Sequence, residues 1–296
     1  MLNPFTEKYL TQSNDALLVQ QAVAGSRKAL EELILRHQAW VYNICLKMLF
    51  TPADAEDATQ EVLVKVITKL DTFRGQSSFR TWLYRVAFNH VLNVKKSLGE
   101  RQHATTFSLY WKSIEATPDA DLPDTASLPV DANLIVEEVK LSCMQGMLLC
   151  LDREQRLAYI LGAIFGVNDA VAAEILDVSR ANFRQRLSRA RRQIHSFMDG
   201  KCGLMRTGNP CHCRKKTKAL VGCGYVDPGK LVFNANYVAT IRQAARARVA
   251  GLERLYDAKC RRLFGSHPFQ NPPDFAAWLR QLLDSTEFRE MFEVAG

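Results

Sequence analysis

The sequence predicts an all-α protein: two helical modules joined by a flexible linker, followed by a helical, cysteine-containing extension. Three observations predict it. Apolar residues recur at steps of three and four through most of the chain. Residues that cap helices, among them Ser26, Thr51, Ser78, Asp152 and Ser179, stand just ahead of these periodic runs. Between the two modules the period is lost, and Pro118, Pro123 and Pro129 appear among acids. With 296 residues and 47% hydrophobic content the chain has room for more than one buried core. No apolar run approaches the roughly 20 residues that span a bilayer, and the first residues lack a basic-then-apolar signal pattern. A cytoplasmic location, away from the membrane, is the expectation.

Taken in order, residues 1–13 read as a loose leader. Asn14 or Asp15 caps a short helix through Ala24, and Gly25-Ser26 ends it and starts the next. That second helix runs to about Phe50, with Leu33, Ile34, His37, Trp40, Val41, Ile44 and Met48 as a core stripe that includes Cys45. His37 reads as a satisfied interior side chain rather than a ligand. Thr51-Pro52 opens a third helix whose first turn is acidic, which suits the helix dipole. Ala55, Ala58, Val62, Val66 and Leu70 should face inward, leaving Asp54, Asp57, Gln60, Glu61 and Lys65 outward. After the turn Phe73-Arg74-Gly75-Gln76-Ser77, a helix from Phe79 to about Lys96 carries cations and flat rings with no acid. Leu83, Val86, Ala87, Val91 and Val94 are its expected core, while Arg80, Arg85, Asn89, Asn93 and Lys96 are expected at the surface. Trp82 and Tyr84 fit either set. Cations beside aromatic rings suit a single nucleic-acid strand with exposed bases. A solvated helix pair is the bland reading of the same charges.

The linker, residues 98–131, contains one apolar knot, Phe107, Leu109, Tyr110 and Trp111, that docks on a partner or packs on a neighbouring domain. Helices from Asn133 to Leu151 and from Arg153 to Phe165 then build a second core, in which Cys143 and Cys150 read as packing. Asn168 or Asp169 caps a short helix to Leu176. Asp177-Val178-Ser179 turns, and Ser179 caps a longer helix to about Met198. Residues 169–194 thus have the form of a helix-turn-helix. The second helix has Phe183, Leu187, Ala190 and Ile194 as its core stripe, and Arg180, Arg184, Arg186, Arg189, Arg191 and Arg192 on its other faces. So many arginines around one stripe suit phosphate and major-groove contact. A basic amphipathic helix on a protein surface is the weaker alternative.

Both modules together carry a resemblance. Asp54-Ala-Glu-Asp-Ala-Thr-Gln-Glu-Val-Leu-Val-Lys-Val, then Phe73-Arg-Gly-Gln-Ser-Ser-Phe-Arg-Thr-Trp-Leu-Tyr-Arg-Val-Ala-Phe-Asn89, resembles region two of bacterial sigma factors of the extracytoplasmic-function (ECF) group. Ala172-Ala-Glu-Ile-Leu-Asp-Val-Ser-Arg-Ala-Asn-Phe-Arg-Gln-Arg-Leu-Ser-Arg-Ala-Arg191 resembles region four. The resemblance covers about residues 14–198, as region two (14–97), linker (98–131) and region four (132–198). It implies a sigma factor without catalytic residues that brings core RNA polymerase to promoter DNA. The acidic helix would meet the clamp coiled coil of the polymerase through Asp57, Gln60 and Glu61. Phe73 would lie at the base pocket of the minus-ten element, Asn89 would read a base edge, and Arg80, Trp82 and Arg85 would support the opened strand. Arg184, Gln185, Ser188 and Arg189 would face the minus-thirty-five duplex. Asn182-Phe183 and Asp177 depart from the commoner Thr-Val and Gly, which puts base specificity in doubt more than fold.

Within the extension, residues 199–296, the stretch from residue 201 onward carries the chain's whole excess of positive charge, with 16 Lys/Arg against 8 Asp/Glu. Cys202, Cys211, Cys213 and Cys223 fall at its start, with His212 among them. Four thiolates suit one Zn²⁺, but C-x8-C-x-C-x9-C is not the paired C-x2-C knuckle, so zinc, a redox switch and unliganded cysteines all stay open. A long basic helix from Phe233 to Phe264 and two short ones, Phe275–Leu283 and Glu287–Phe292, are expected beyond. They would fold back on the sigma domains as an intramolecular regulator, or bind a partner such as an anti-sigma factor. Two other classes are weighed: a plain helix-turn-helix regulator, which would not need the acidic-then-aromatic pair, and a thiol or zinc enzyme using Cys211 or Cys213, which lacks a His/Asp partner set.

Overall fold

The computed structural model describes residues 4–5, 14–93, 105–121, 132–233 and 269–285. Within these the regular elements are helical: α1 (Asp15–Val23), α2 (Arg27–Leu49), α3 (Pro52–Thr68), α4 (Phe79–Asn93), α5 (Phe107–Ala116), α6 (Ala132–Leu149), α7 (Arg153–Tyr159), α8 (Asp169–Leu176), α9 (Arg180–Lys201), α10 (Cys213–Gly222) and α11 (Phe275–Asp284). The chain divides into two compact units, one of Met1–Ser97, Val167–Phe183 and Asn271–Gly296, the other of Leu98–Gly166 and Arg184–Gln270. The expected long helix 233–264 and the helix 287–292 lie outside the described residues, as does Cys260.

In the first unit α2 is the axis, buried at nearly every position from Leu33 to Leu49. Ser26 caps it by accepting from the Ala29 amide, as Thr51 caps α3 by accepting from Asp54 and Ser78 caps α4 by accepting from Thr81. The stripe Ala55, Ala58, Val62, Val66 and Leu70 is buried, and Leu83, Ala87 and Val91 of α4 are fully so. His37 is wholly interior, with Nε2 3.2 Å from Asp15 and Nδ1 3.3 Å from the Tyr84 hydroxyl. The leader is not loose throughout: the Phe5 ring is buried 5.5 Å from Trp40 and 4.7 Å from Tyr84. An aromatic ring carries enough apolar surface to anchor a short segment. Helix α11 of the extension also belongs here. Phe275, Ala276, Leu279 and Leu283 are buried, with Phe275 6.1 Å from Tyr42 of α2. Asp284 accepts from Arg27 at 2.9 Å, and Arg280 lies 3.3 Å from Glu31. One part of the extension therefore does fold back.

The second unit holds α5, α6, α7, α10 and most of α9. Asp152 caps α7 by accepting from Gln155, and the buried Arg156 donates to the carbonyls of Leu148, at the end of α6, and Leu151, just past it. The apolar knot of the linker packs on the neighbouring domain, one of its two expected outcomes. Thr106 caps α5, and Phe107, Tyr110 and Trp111 gather around Phe197 with ring centroids 5.3, 5.9 and 6.3 Å away. Aromatic packing outweighs the proline-rich, acidic character of the surrounding segment. Tyr110 donates to the Cys143 carbonyl over Gly146, where an added Cβ would stand 2.7 Å from the hydroxyl. The start of the extension is part of this core. Val226 packs with Ile135 and Val139, and Leu220, Val221 and Tyr225 close around them. Glu138 accepts from the Val232 and Phe233 amides.

Candidate nucleic-acid interface

Helix α3 presents its acids outward, as the apolar period requires. Asp57 and Glu61 are exposed and Gln60 is half-buried. Glu61 lies 3.6 Å from Nε2 of the buried His90, whose Nδ1 is 2.5 Å from the Lys65 ammonium. Burial first, and the Lys65 charge second, hold the His90 pKa below its usual value, against a smaller pull from Glu61. Burial thus favours the neutral imidazole, and since an ammonium only donates, Nδ1 is the acceptor of the Lys65 contact. Glu61 and Lys65 lie four apart on α3, but no spacing in the sequence links His90 to them.

The turn and α4 form an aromatic ledge. Phe73 stands 5.8 Å from Phe79 and 5.7 Å from Trp82, and Phe79 is 5.9 Å from Trp82. Phe79 is buried, whereas Phe73 and Trp82 are half-buried and Asn89 is exposed. Arg80 departs from the expectation of a surface position. It is 3% exposed and donates to the Pro4 carbonyl at 2.8 Å. The docked leader lies over the face that helical spacing alone assigned to solvent. Arg85 is half-buried, donates to the Glu174 carbonyl of α8 at 2.7 Å and lies 3.9 Å from the Asp177 carboxylate.

The helix-turn-helix is built as its sequence implies. Asn168 caps α8 by accepting from Val171. Asp177 takes the left-handed conformation, φ 55°, that the turn demands where a glycine is commoner. Phe183, Leu187, Ala190 and Ile194 are buried along one stripe of α9. Arg184, Gln185, Ser188 and Arg189 are exposed together on another face. Arg186 is drawn aside to Glu154 at 2.9 Å.

The cysteines regroup. Cys45 is buried, and its thiol is pushed up to about 12 by that burial. Cys223 is exposed beyond the end of α10, its thiol against the Leu220 carbonyl. Cys202, Cys211 and Cys213 line one cavity with Cys143 of α6, which its place on an apolar helix had marked as packing. Burial first, then the neighbouring thiols, push Cys211 up to about 11 and Cys213 to about 12. The same two causes raise Cys143. Lys216 lowers Cys211, but burial prevails. Among the described residues no group of three or more His, Cys, Asp or Glu side chains already stands in metal-holding geometry.

Two family descriptions match the chain, Sigma-70 region 2 over residues 33–100 and Sigma-70, region 4 over residues 141–194. The RNA polymerase sigma-H factor of Pseudomonas aeruginosa is 26% identical over 189 residues, 62% of this chain and 94% of that protein. The ECF RNA polymerase sigma-E factor of Escherichia coli is 29% identical over 184 residues, 62% of this chain and 93% of that protein. A solved structure of CnrH in complex with the cytosolic domain of CnrY shares 22% identity, covering 63% of this chain and 98% of that one, with a TM-score of 0.44. No described helix is long and apolar enough to cross a membrane.

Proposed function

We propose, for a chain that belongs to the extracytoplasmic-function group of the sigma-70 family, a division of labour among the surfaces described above. The protein is an RNA polymerase sigma factor that directs the core enzyme to specific promoters. Its work is differential binding. Asp57, Gln60 and Glu61 dock the clamp coiled coil of the polymerase. Phe73, Trp82, Arg85 and Asn89 take the non-template strand of the minus-ten element as it opens: a ring stacks on an extruded base, and an amide pairs with its edge. Arg80 supports this surface from behind. Arg184 and Arg189 bond guanine, or phosphate, in the minus-thirty-five duplex; Gln185 bonds adenine, and Ser188 either base.

The observation that carries this reading is the face of α9. Its four proposed reading residues are exposed together while Phe183, Leu187, Ala190 and Ile194 bury the opposite stripe. Run-off transcription with purified core polymerase on a promoter library tests it. A discrete set of promoters sharing one upstream element should be transcribed. Transcription that ignores the upstream element would contradict the role given to α9.

A further inference from the structure

We propose that Cys143, Cys202, Cys211 and Cys213 form a thiolate site for one Zn²⁺ ion, tying the start of the extension to helix α6. The four come from three separate segments: Cys143 from the middle of α6, Cys202 from the residue after α9, and Cys211 and Cys213 from the loop leading into α10 and its first residue. All four line one cavity of about 20 Å³. That volume holds roughly one water or one small ion.

The backbone is arranged to keep the thiols there. Cys202 and Cys211 face each other in an isolated parallel bridge, with Gly203 N–H donating to the Cys211 carbonyl at 2.8 Å and Cys211 N–H to the Lys201 carbonyl at 3.1 Å. Gly203 leaves room for this approach, since an added Cβ would stand 2.7 Å from both the Cys211 carbonyl oxygen and His212 Nδ1. Asn209 locks the loop by donating to the Asp199 and Cys202 carbonyls at 2.8 and 3.0 Å. Cys213 is the first residue of α10, where the helix dipole favours an anion.

Zinc takes four thiolates in tetrahedral array and would carry a net charge of −2 there. Lys140 and Lys201 line the same cavity and offset it. The thiols line the cavity without yet meeting at a point, but each turns about a single side-chain torsion, and metal binding supplies the free energy that draws ligands together. Four S–H bonds release their protons to solvent as four Zn–S bonds form. Cys223, which linear spacing would make the fourth ligand, is replaced by Cys143.

The test uses the full chain, reduced and stripped with a chelator, then titrated with Zn²⁺ and with Co²⁺. One equivalent of Zn²⁺ should bind and survive dialysis, and Co²⁺ should give the intense thiolate charge-transfer and tetrahedral bands of four sulfur ligands. Cys143→Ser should weaken Zn²⁺ binding by more than the roughly 10–100-fold that loss of an outer-shell partner costs. Cys223→Ser should bind as the parent does. Loss of metal in Cys223→Ser with retention in Cys143→Ser would overturn the assignment, as would a parent chain that binds no stoichiometric Zn²⁺. Should Cys143→Ser not fold by circular dichroism, the Co²⁺ spectrum of the parent decides: four-thiolate intensity supports the site and two-thiolate intensity overturns it.

Discussion

Helices α4 and α9 are both cationic and striped with apolar residues, yet they present their charge differently. On α9 the arginines at 184 and 189 stand exposed beside Gln185 and Ser188. On α4 Arg80 is buried against the Pro4 carbonyl, Arg85 is half-buried against the Glu174 carbonyl, and the rings around Trp82 are packed on one another. Duplex DNA offers phosphates and groove edges at once, so a face that reads it has to stand exposed beforehand. A melted strand offers bases only after opening, and a surface that waits for it keeps its polar groups satisfied meanwhile. The contrast in exposure fits the proposal that α9 captures duplex and α4 serves opening.

Four changes would break or sharpen that contrast. The largest effect belongs to Arg184→Ala with Arg189→Ala. At about 1–3 kcal/mol for each good base contact, duplex affinity in the polymerase complex should fall on the order of 100-fold or more. A filter or mobility-shift titration measures it, and the salt slope should fall with any phosphate contact that is lost. Next comes Arg80→Ala, which should act on the fold rather than on DNA. It removes a buried charged donor from the Pro4 carbonyl and should cost about 1–3 kcal/mol in a denaturant melt. A normal melt with weakened strand binding would instead return Arg80 to the DNA surface. Asn89→Ala, at an exposed site, should leave both the melt and duplex binding unchanged and slow open-complex formation by about 10-fold, the size of one lost hydrogen bond. Permanganate footprinting of the opened strand reads that loss.

The smallest effect concerns Lys47, buried in α2, whose pKa burial lowers to about 7. The unfolded chain keeps this proton to about pH 10.4, so between pH 7 and 10 the unfolded state binds more protons and stability from this group rises with pH. The penalty is fully present below pH 7. Lys47→Met should therefore raise the thermal midpoint most at pH 6 to 7, with the gain shrinking steadily toward pH 10. Comparing variant with parent isolates Lys47 from the buried thiols, whose raised pKa values lower stability above about pH 8.5. A gain that grows with pH would contradict the assignment.

What could be read without coordinates follows from locality. Capping by Ser26, Thr51, Ser78, Asp152 and Ser179, and the stripes of α3 and α9, depend on residues three or four apart, and each was legible. The left-handed Asp177 was legible for the same reason. Misread or undecided features depend on distant partners. Arg80 is covered by Pro4, 76 residues away in sequence, and of the two expectations for the linker aromatics only the structure, through Phe197, selects one. Cys143 joins Cys202, Cys211 and Cys213 only once α6 and α10 pack, so no linear motif includes it. The His90–Lys65 contact was invisible for the same reason.

The central claim is that this chain is carried by the enzyme that makes RNA through the α3 carboxylates. Binding of the full chain to purified bacterial core polymerase at low ionic strength tests it most directly. The account predicts a one-to-one complex that Asp57→Lys with Glu61→Lys weakens sharply while the melt of the free chain is unchanged. A chain that shows no affinity for core polymerase, or a complex indifferent to those two reversals, would contradict it.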